Sequence, residues 1–82
     1  MTIYQAHKKA VSMLKKAYPV ESGKYWCVEI NHYSADNTWV TIRASFNWNK
    51  EGLYESVEDY DTDKFIAKLQ EYIDQNPLAK KD

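Results

Sequence analysis

Tyr25-Trp26-Cys27-Val28-Glu29-Ile30-Asn31-His32-Tyr33, followed five residues later by Trp39-Val40-Thr41-Ile42-Arg43-Ala44-Ser45-Phe46-Asn47-Trp48, decides the fold. In the first run, Trp26, Val28, Ile30 and His32 alternate with Tyr25, Cys27, Glu29, Asn31 and Tyr33. In the second, Val40, Ile42, Ala44, Phe46 and Trp48 alternate with Trp39, Thr41, Arg43, Ser45 and Asn47. A period of two with many β-branched and aromatic residues predicts two strands, each with one apolar face. Ser34-Ala35-Asp36-Asn37-Thr38 between them has turn chemistry. A weaker third strand is expected over Leu53–Glu58. It is entered through Asn49-Lys50-Glu51-Gly52, where the glycine suits a left-handed backbone.

The flanks change period. Over residues 2–18, Ile3, Ala6, His7, Ala10, Val11, Met13, Leu14, Ala17 and Tyr18 fall on one arc when drawn at 100° per residue. Thr2 and Gln5 have capping-box spacing, and Pro19 stops the helix. Over residues 62–75, Phe65, Ile66, Leu69, Tyr72 and Ile73 share an arc, with Asp61 or Thr62 as cap and Asn76-Pro77 as terminator. The order is therefore α-β-β-β-α. We expect a two-layer α+β domain: a three-stranded antiparallel meander with both helices on one face. The single domain spans residues 1–82, with an ordered core over about 2–76 and a mobile tail at 77–82.

Pairing inward residues with inward residues fixes the register. Outward partners are then Tyr33 with Trp39, Asn31 with Thr41, Glu29 with Arg43 and Cys27 with Ser45. Across the second hairpin, Trp48 meets Leu53, Asn47 meets Tyr54, Ser45 meets Ser56 and Arg43 meets Glu58. Arg43, the sole arginine, thus stands between two glutamates. The plain reading is a register-fixing charge ladder; the functional one is a guanidinium that grips a partner. Tyr25, Tyr33, Trp39 and Tyr54 share that outward face. Seven of the 82 residues are tyrosine, so an aromatic face left bare is a candidate interface, for self-association among other partners.

Charge is segregated. Residues 51–63 carry Glu51, Glu55, Glu58, Asp59, Asp61 and Asp63 with no base, while the first helix shows Lys8, Lys9, Lys15 and Lys16. The acidic stretch, with Glu55, Glu58 and Asp59, suits a basic protein partner, and its plainer role is solubility. The lysines could touch phosphates as point charges, though such faces are commonly just solvated. The overall charge of −1 gives no global attraction to nucleic acid or membrane.

Catalytic and metal chemistry find little support. Asp59-Tyr60-Asp61-Thr62-Asp63 alternates like a calcium loop, but Lys64 replaces the turn glycine and Gln70 the bidentate glutamate. His7 and His32 lack a third ligand, and Cys27 points away from His32. The chain has no P-loop, dinucleotide fingerprint or H-E-x-x-H motif. One cysteine excludes an internal disulfide, and no apolar run reaches the roughly 20 residues of a membrane span. The opening MTIYQAHKK has no apolar signal region. We expect no cofactor and no metal. The expected protein is a cytoplasmic, non-enzymatic binding module whose partner is a protein.

Over residues 2–75 the element order resembles that of double-stranded-RNA-binding domains. That resemblance implies RNA contact through a basic opening of the last helix and a G-P-x-H loop. This chain has Asp61-Thr62-Asp63-Lys64 and Ser34-Ala35-Asp36-Asn37-Thr38 at those places. The corresponding alternative function is nucleic-acid binding through Lys8, Lys9, Lys15 and Lys16. The architecture also resembles many small phage- and mobile-element-encoded proteins, and such an origin is the matching expectation.

Overall fold

A computed structural model describes residues 1–33, 39–48 and 54–78. The expected turn at 34–38, the Gly52 loop, the pairing of Leu53 and tail residues 79–82 lie outside the described residues, as do the side chains of Trp48 and Tyr54. The elements run α1 (Ile3–Ala17), β1 (Lys24–His32), β2 (Val40–Trp48), β3 (Tyr54–Asp59) and α2 (Thr62–Gln75), with a short 3-10 turn at Val20–Ser22. The sheet is antiparallel in the order β1-β2-β3, so the fold is α+β.

Local chemistry sets the helix ends. Thr2 Oγ1 accepts from Gln5 N–H at 3.1 Å, and Gln5 Oε1 accepts from Thr2 N–H at 2.9 Å, closing the capping box. Asp61 Oδ1 accepts from Asp63 N–H at 3.0 Å and Lys64 N–H at 3.1 Å, capping α2. Gly23 turns the chain into β1 at φ +82°, a backbone region that suits glycine. Thr2→Ala should cost about 1 kcal/mol in urea unfolding, because both reciprocal cap bonds depend on the threonine hydroxyl or the geometry it holds.

The register agrees with the parity argument. Glu29 faces Arg43, Cys27 faces Ser45 and Asn31 faces Thr41; Arg43 faces Glu58, Ser45 faces Ser56 and Asn47 faces Tyr54. Tyr33 N–H donates to the Trp39 carbonyl at 3.0 Å, extending the first hairpin by one pair.

The core gathers Ala6, Ala10, Leu14 and Tyr18 from the first helix and its end, Phe65 and Leu69 from α2, and Ile42, Ala44 and Phe46 from β2. The β2 contributors all have the inward parity read from the sequence. Trp26 and Val28 of β1, Val57 of β3 and Leu78 beyond α2 pack against this cluster. Trp26 is fixed by an Nε1–H donated to the Tyr18 carbonyl at 3.0 Å. His7 Nε2 lies 3.3 Å from the Val28 carbonyl oxygen, a further link from α1 to β1.

One core member is a charge. Lys24 is buried at 2% exposure, because β1 begins one residue before Tyr25 and Lys24 shares the parity of Trp26. Its Nζ lies 4.7 Å from the Tyr18 ring centroid, 4.7 Å from that of Tyr72 and 5.5 Å from that of Phe46. Cation–π attraction compensates part of the lost hydration. Nζ donates to Tyr72 Oη at 2.6 Å, and Tyr72 O–H donates to Glu55 Oε1 at 2.6 Å. The lysine charge thus reaches a carboxylate through one phenol. Burial pushes the Lys24 amine down, while the Glu55 charge opposes that shift. The same burial, aided by Glu55, pushes the Tyr18 hydroxyl up to about 12.

Candidate functional site

The outward residues of the sheet divide into two ends. At one end, Tyr25 is 55% exposed beside Cys27, Ser45 and Asn47, over a shallow hollow of about 170 Å³. At the other, Tyr33 and Trp39 are each 56% exposed, and Tyr60 is 68% exposed. Trp39 and Tyr60 meet edge to face, with ring centroids 6.4 Å apart and planes at 84°. Tyr60 was not among the residues read from the sequence. Its signal was parity: Ser56, Glu58 and Tyr60 stay in phase if β3 is continued past Glu58.

Polar side chains tie the strands together beneath these rings. Tyr33 O–H donates to Glu58 Oε2 at 2.7 Å, and Thr41 Oγ1–H donates to the same oxygen at 2.6 Å. Arg43 Nη2 donates to Glu29 Oε1 at 2.7 Å. The expected ladder of Glu29, Arg43 and Glu58 therefore has the right register, but among the described residues its ion pair closes on Glu29 alone. The phenol of Tyr33 and the hydroxyl of Thr41 occupy Glu58 instead. The hydrogen bond to Glu29 holds the Arg43 guanidinium firmly protonated. The bonds from Thr41, then Tyr33, hold the Glu58 carboxyl below the usual carboxylate range.

A depressed carboxyl pKa stabilises the fold fully above the unfolded value of about 4, and that stabilisation is lost as pH falls through the lower folded value. Asp59 acts in the same direction, lowered first by the Asp61 backbone N–H and then by Lys68. Removing the Tyr33 donor raises the folded value of Glu58 toward the unfolded one. Tyr33→Phe should therefore lose less stability between pH 7 and pH 3 than the unaltered chain, as read by urea midpoints at the two pH values.

Among the described residues, the acids of the 51–63 stretch do not form one surface. Glu58 stands on the outward face. Glu55, opposite Phe46, takes the Tyr72 hydroxyl, and Asp59, opposite Ile42, pairs with Lys68 Nζ at 2.9 Å. Asp59 Oδ1 also accepts the Asp61 N–H at 2.8 Å. The calcium-like run thus spends Asp59 and Asp61 on structure. Among the described residues no group of three metal-ligating side chains comes together. His32 is exposed, while His7 reaches the Val28 carbonyl.

Lys8, Lys9, Lys15 and Lys16 are all exposed on α1. Lys9 and Lys16 rim a groove of about 470 Å³ between the helices, floored by Met13, Ala17 and Ile73. No described helix is long and apolar enough to cross a membrane.

Fold and site together define a small α+β domain with a three-stranded meander and exposed aromatics over a polar, charge-linked sheet face. No family model matches the chain, and neither a curated protein nor a solved structure matches it.

Proposed function

We propose that the chain is a non-enzymatic binding module that contacts a protein partner through the outward sheet face. Tyr33, Trp39 and Tyr60, each more than half exposed at one end of that face, carry this reading, and Tyr25 extends it to the other end. Large rigid aromatics contribute contact area at low entropic cost and concentrate binding energy at interfaces. The reading requires both helices to cover the opposite face. Its support is the shared core of α1, α2 and the inward residues of β2.

Light scattering across a concentration series tests a second copy as the partner. Affinity capture by the immobilised chain tests other proteins. Trp39→Ala should shift a self-association constant, or weaken capture, by about tenfold or more, as expected for a buried aromatic anchor. An unchanged Trp39→Ala, together with an unchanged Tyr33→Ala, overturns the reading.

One observation favours a second reading, phosphate contact through α1. Lys8, Lys9, Lys15 and Lys16 are exposed, and none forms an ion pair among the described residues. Binding of that kind falls steeply with salt, because each phosphate contact releases counterions. Capture that survives 0.5 M salt but is lost in Trp39→Ala selects the sheet face.

A further inference from the structure

The partner's chemistry can be narrowed from one corner of the outward face. Trp39 and Tyr60 stand nearly perpendicular, edge to face, and each side chain is more than half exposed. Tyr33 sits opposite Trp39. Thr41 and Glu58, two residues from Trp39 and Tyr60 respectively, bring a carboxylate to the same end of the sheet. Both donors to that carboxylate are neutral hydroxyls, and both use Oε2. Among the described residues Oε1 takes no donor, and the cation opposite, Arg43, is committed to Glu29. Among the described residues, then, no cation hydrogen-bonds to this carboxylate, although the Arg43 charge acts on it from across the strand, and it stands at the same end of the sheet as three exposed aromatic side chains.

Aromatic faces attract cations, and a carboxylate with a free oxygen accepts an in-plane N–H. A guanidinium satisfies both demands at once, stacking on a ring while donating from its edge; an ammonium is a point charge without a stacking face. We propose that the corner formed by Trp39, Tyr60, Tyr33 and Glu58 receives an arginine side chain of the protein partner. This assignment rests on the outward-face reading and adds the chemical identity of the group that docks there. The chain's own arginine is an unsuitable occupant, since its guanidinium is already paired within the sheet.

The test uses the intact chain and three hexapeptides in which glycine alternates with arginine, with lysine or with citrulline, the neutral shape mimic of arginine. Binding is followed by the indole N–H resonance of Trp39, assigned through Trp39→Phe. The Trp26 indole, bonded to the Tyr18 carbonyl, serves as an internal reference. The arginine peptide should shift the Trp39 signal saturably and leave that of Trp26 in place. The citrulline peptide should bind about tenfold more weakly or worse, and the lysine peptide should fall between them. Glu58→Gln keeps an oxygen for Tyr33 and Thr41 but removes the charge, and should weaken the arginine peptide by about tenfold. Tyr60→Leu, which leaves the Glu58 bonds intact, should weaken it severalfold.

Equal binding of the citrulline peptide, undiminished binding by Glu58→Gln with its fold verified by circular dichroism, or an unmoved Trp39 signal overturns the proposal. Equal binding of the lysine peptide overturns the choice of arginine. A silent Trp39 signal, with capture still abolished by Trp39→Ala, refutes the arginine pocket and leaves the outward-face reading standing. Capture indifferent to both Trp39→Ala and Tyr33→Ala refutes that reading itself.

Discussion

Phe46→Ala should leave the chain at or beyond the edge of folding, with a loss of about 3–5 kcal/mol in urea unfolding. A domain of this size has roughly 5–10 kcal/mol in total. Phe46 is 1% exposed at the centre of the sheet. It stacks on Tyr72 with centroids 4.0 Å apart and planes at 11°, and meets Tyr18 edge to face at 6.2 Å. Truncation opens a cavity between both helices and the middle strand, and also removes one aromatic wall around Lys24. The second loss comes on top of the cavity cost that truncating the equally buried Leu14 or Phe65 would also carry. Phe46→Leu refills much of the volume without a π face, and should fall between the two. Equal stability of Phe46→Leu and the unaltered chain would show that volume alone matters there.

Tyr72→Phe isolates the polar half of the same assembly. One oxygen is removed while the ring remains free to stack on Phe46. That oxygen accepts from Lys24 and donates to Glu55, both at 2.6 Å. A hydrogen bond to a charged group contributes about 1.5–3 kcal/mol. We expect a loss of about 2–3 kcal/mol, which for a chain of this length lowers the thermal midpoint by roughly 10–20 °C. Glu55→Gln should cost less in the Tyr72→Phe background than alone, because the hydrogen-bonded link through the phenol is already gone and only the direct attraction between the Glu55 and Lys24 charges is lost. Equal losses in the two backgrounds would show that the phenol does not couple the pair.

Much of the architecture was legible because alternation is a strict consequence of the pleat. Assigning Val28, Ile30, Ile42 and Ala44 to one side left a single register, and the pairs Glu29–Arg43 and Arg43–Glu58 followed from it. The helix ends were equally readable from Thr2, Gln5 and Asp61, whose side chains bond within three residues of themselves.

Interactions decided by competition between distant side chains were not legible. Register places Glu58 beside Arg43, but does not reveal that Tyr33 and Thr41 occupy its carboxylate while Glu29 takes the guanidinium. The acidic run read as one patch because it is continuous in sequence. The strand turns alternate members to opposite sides, so Glu55 and Asp59 meet Tyr72 and Lys68 of α2. Lys24 escaped notice because its inward parity counts only once the strand is known to begin there. A lysine is a poor core residue until aromatic rings such as Tyr18, Phe46 and Tyr72 surround it and the hydroxyl of Tyr72 accepts from it.

The placement of Lys24 makes the chain report on its own opening. Trypsin must draw a lysine side chain into its specificity pocket together with several residues of extended backbone. At Lys24 both the side chain and the strand are sequestered, whereas Lys8, Lys9, Lys15 and Lys16 project from the outside of a helix. Scission after Lys24 therefore requires β1 to leave the sheet and the ring enclosure to come apart. Its rate, followed by mass spectrometry at low protease, measures the population of the globally opened chain.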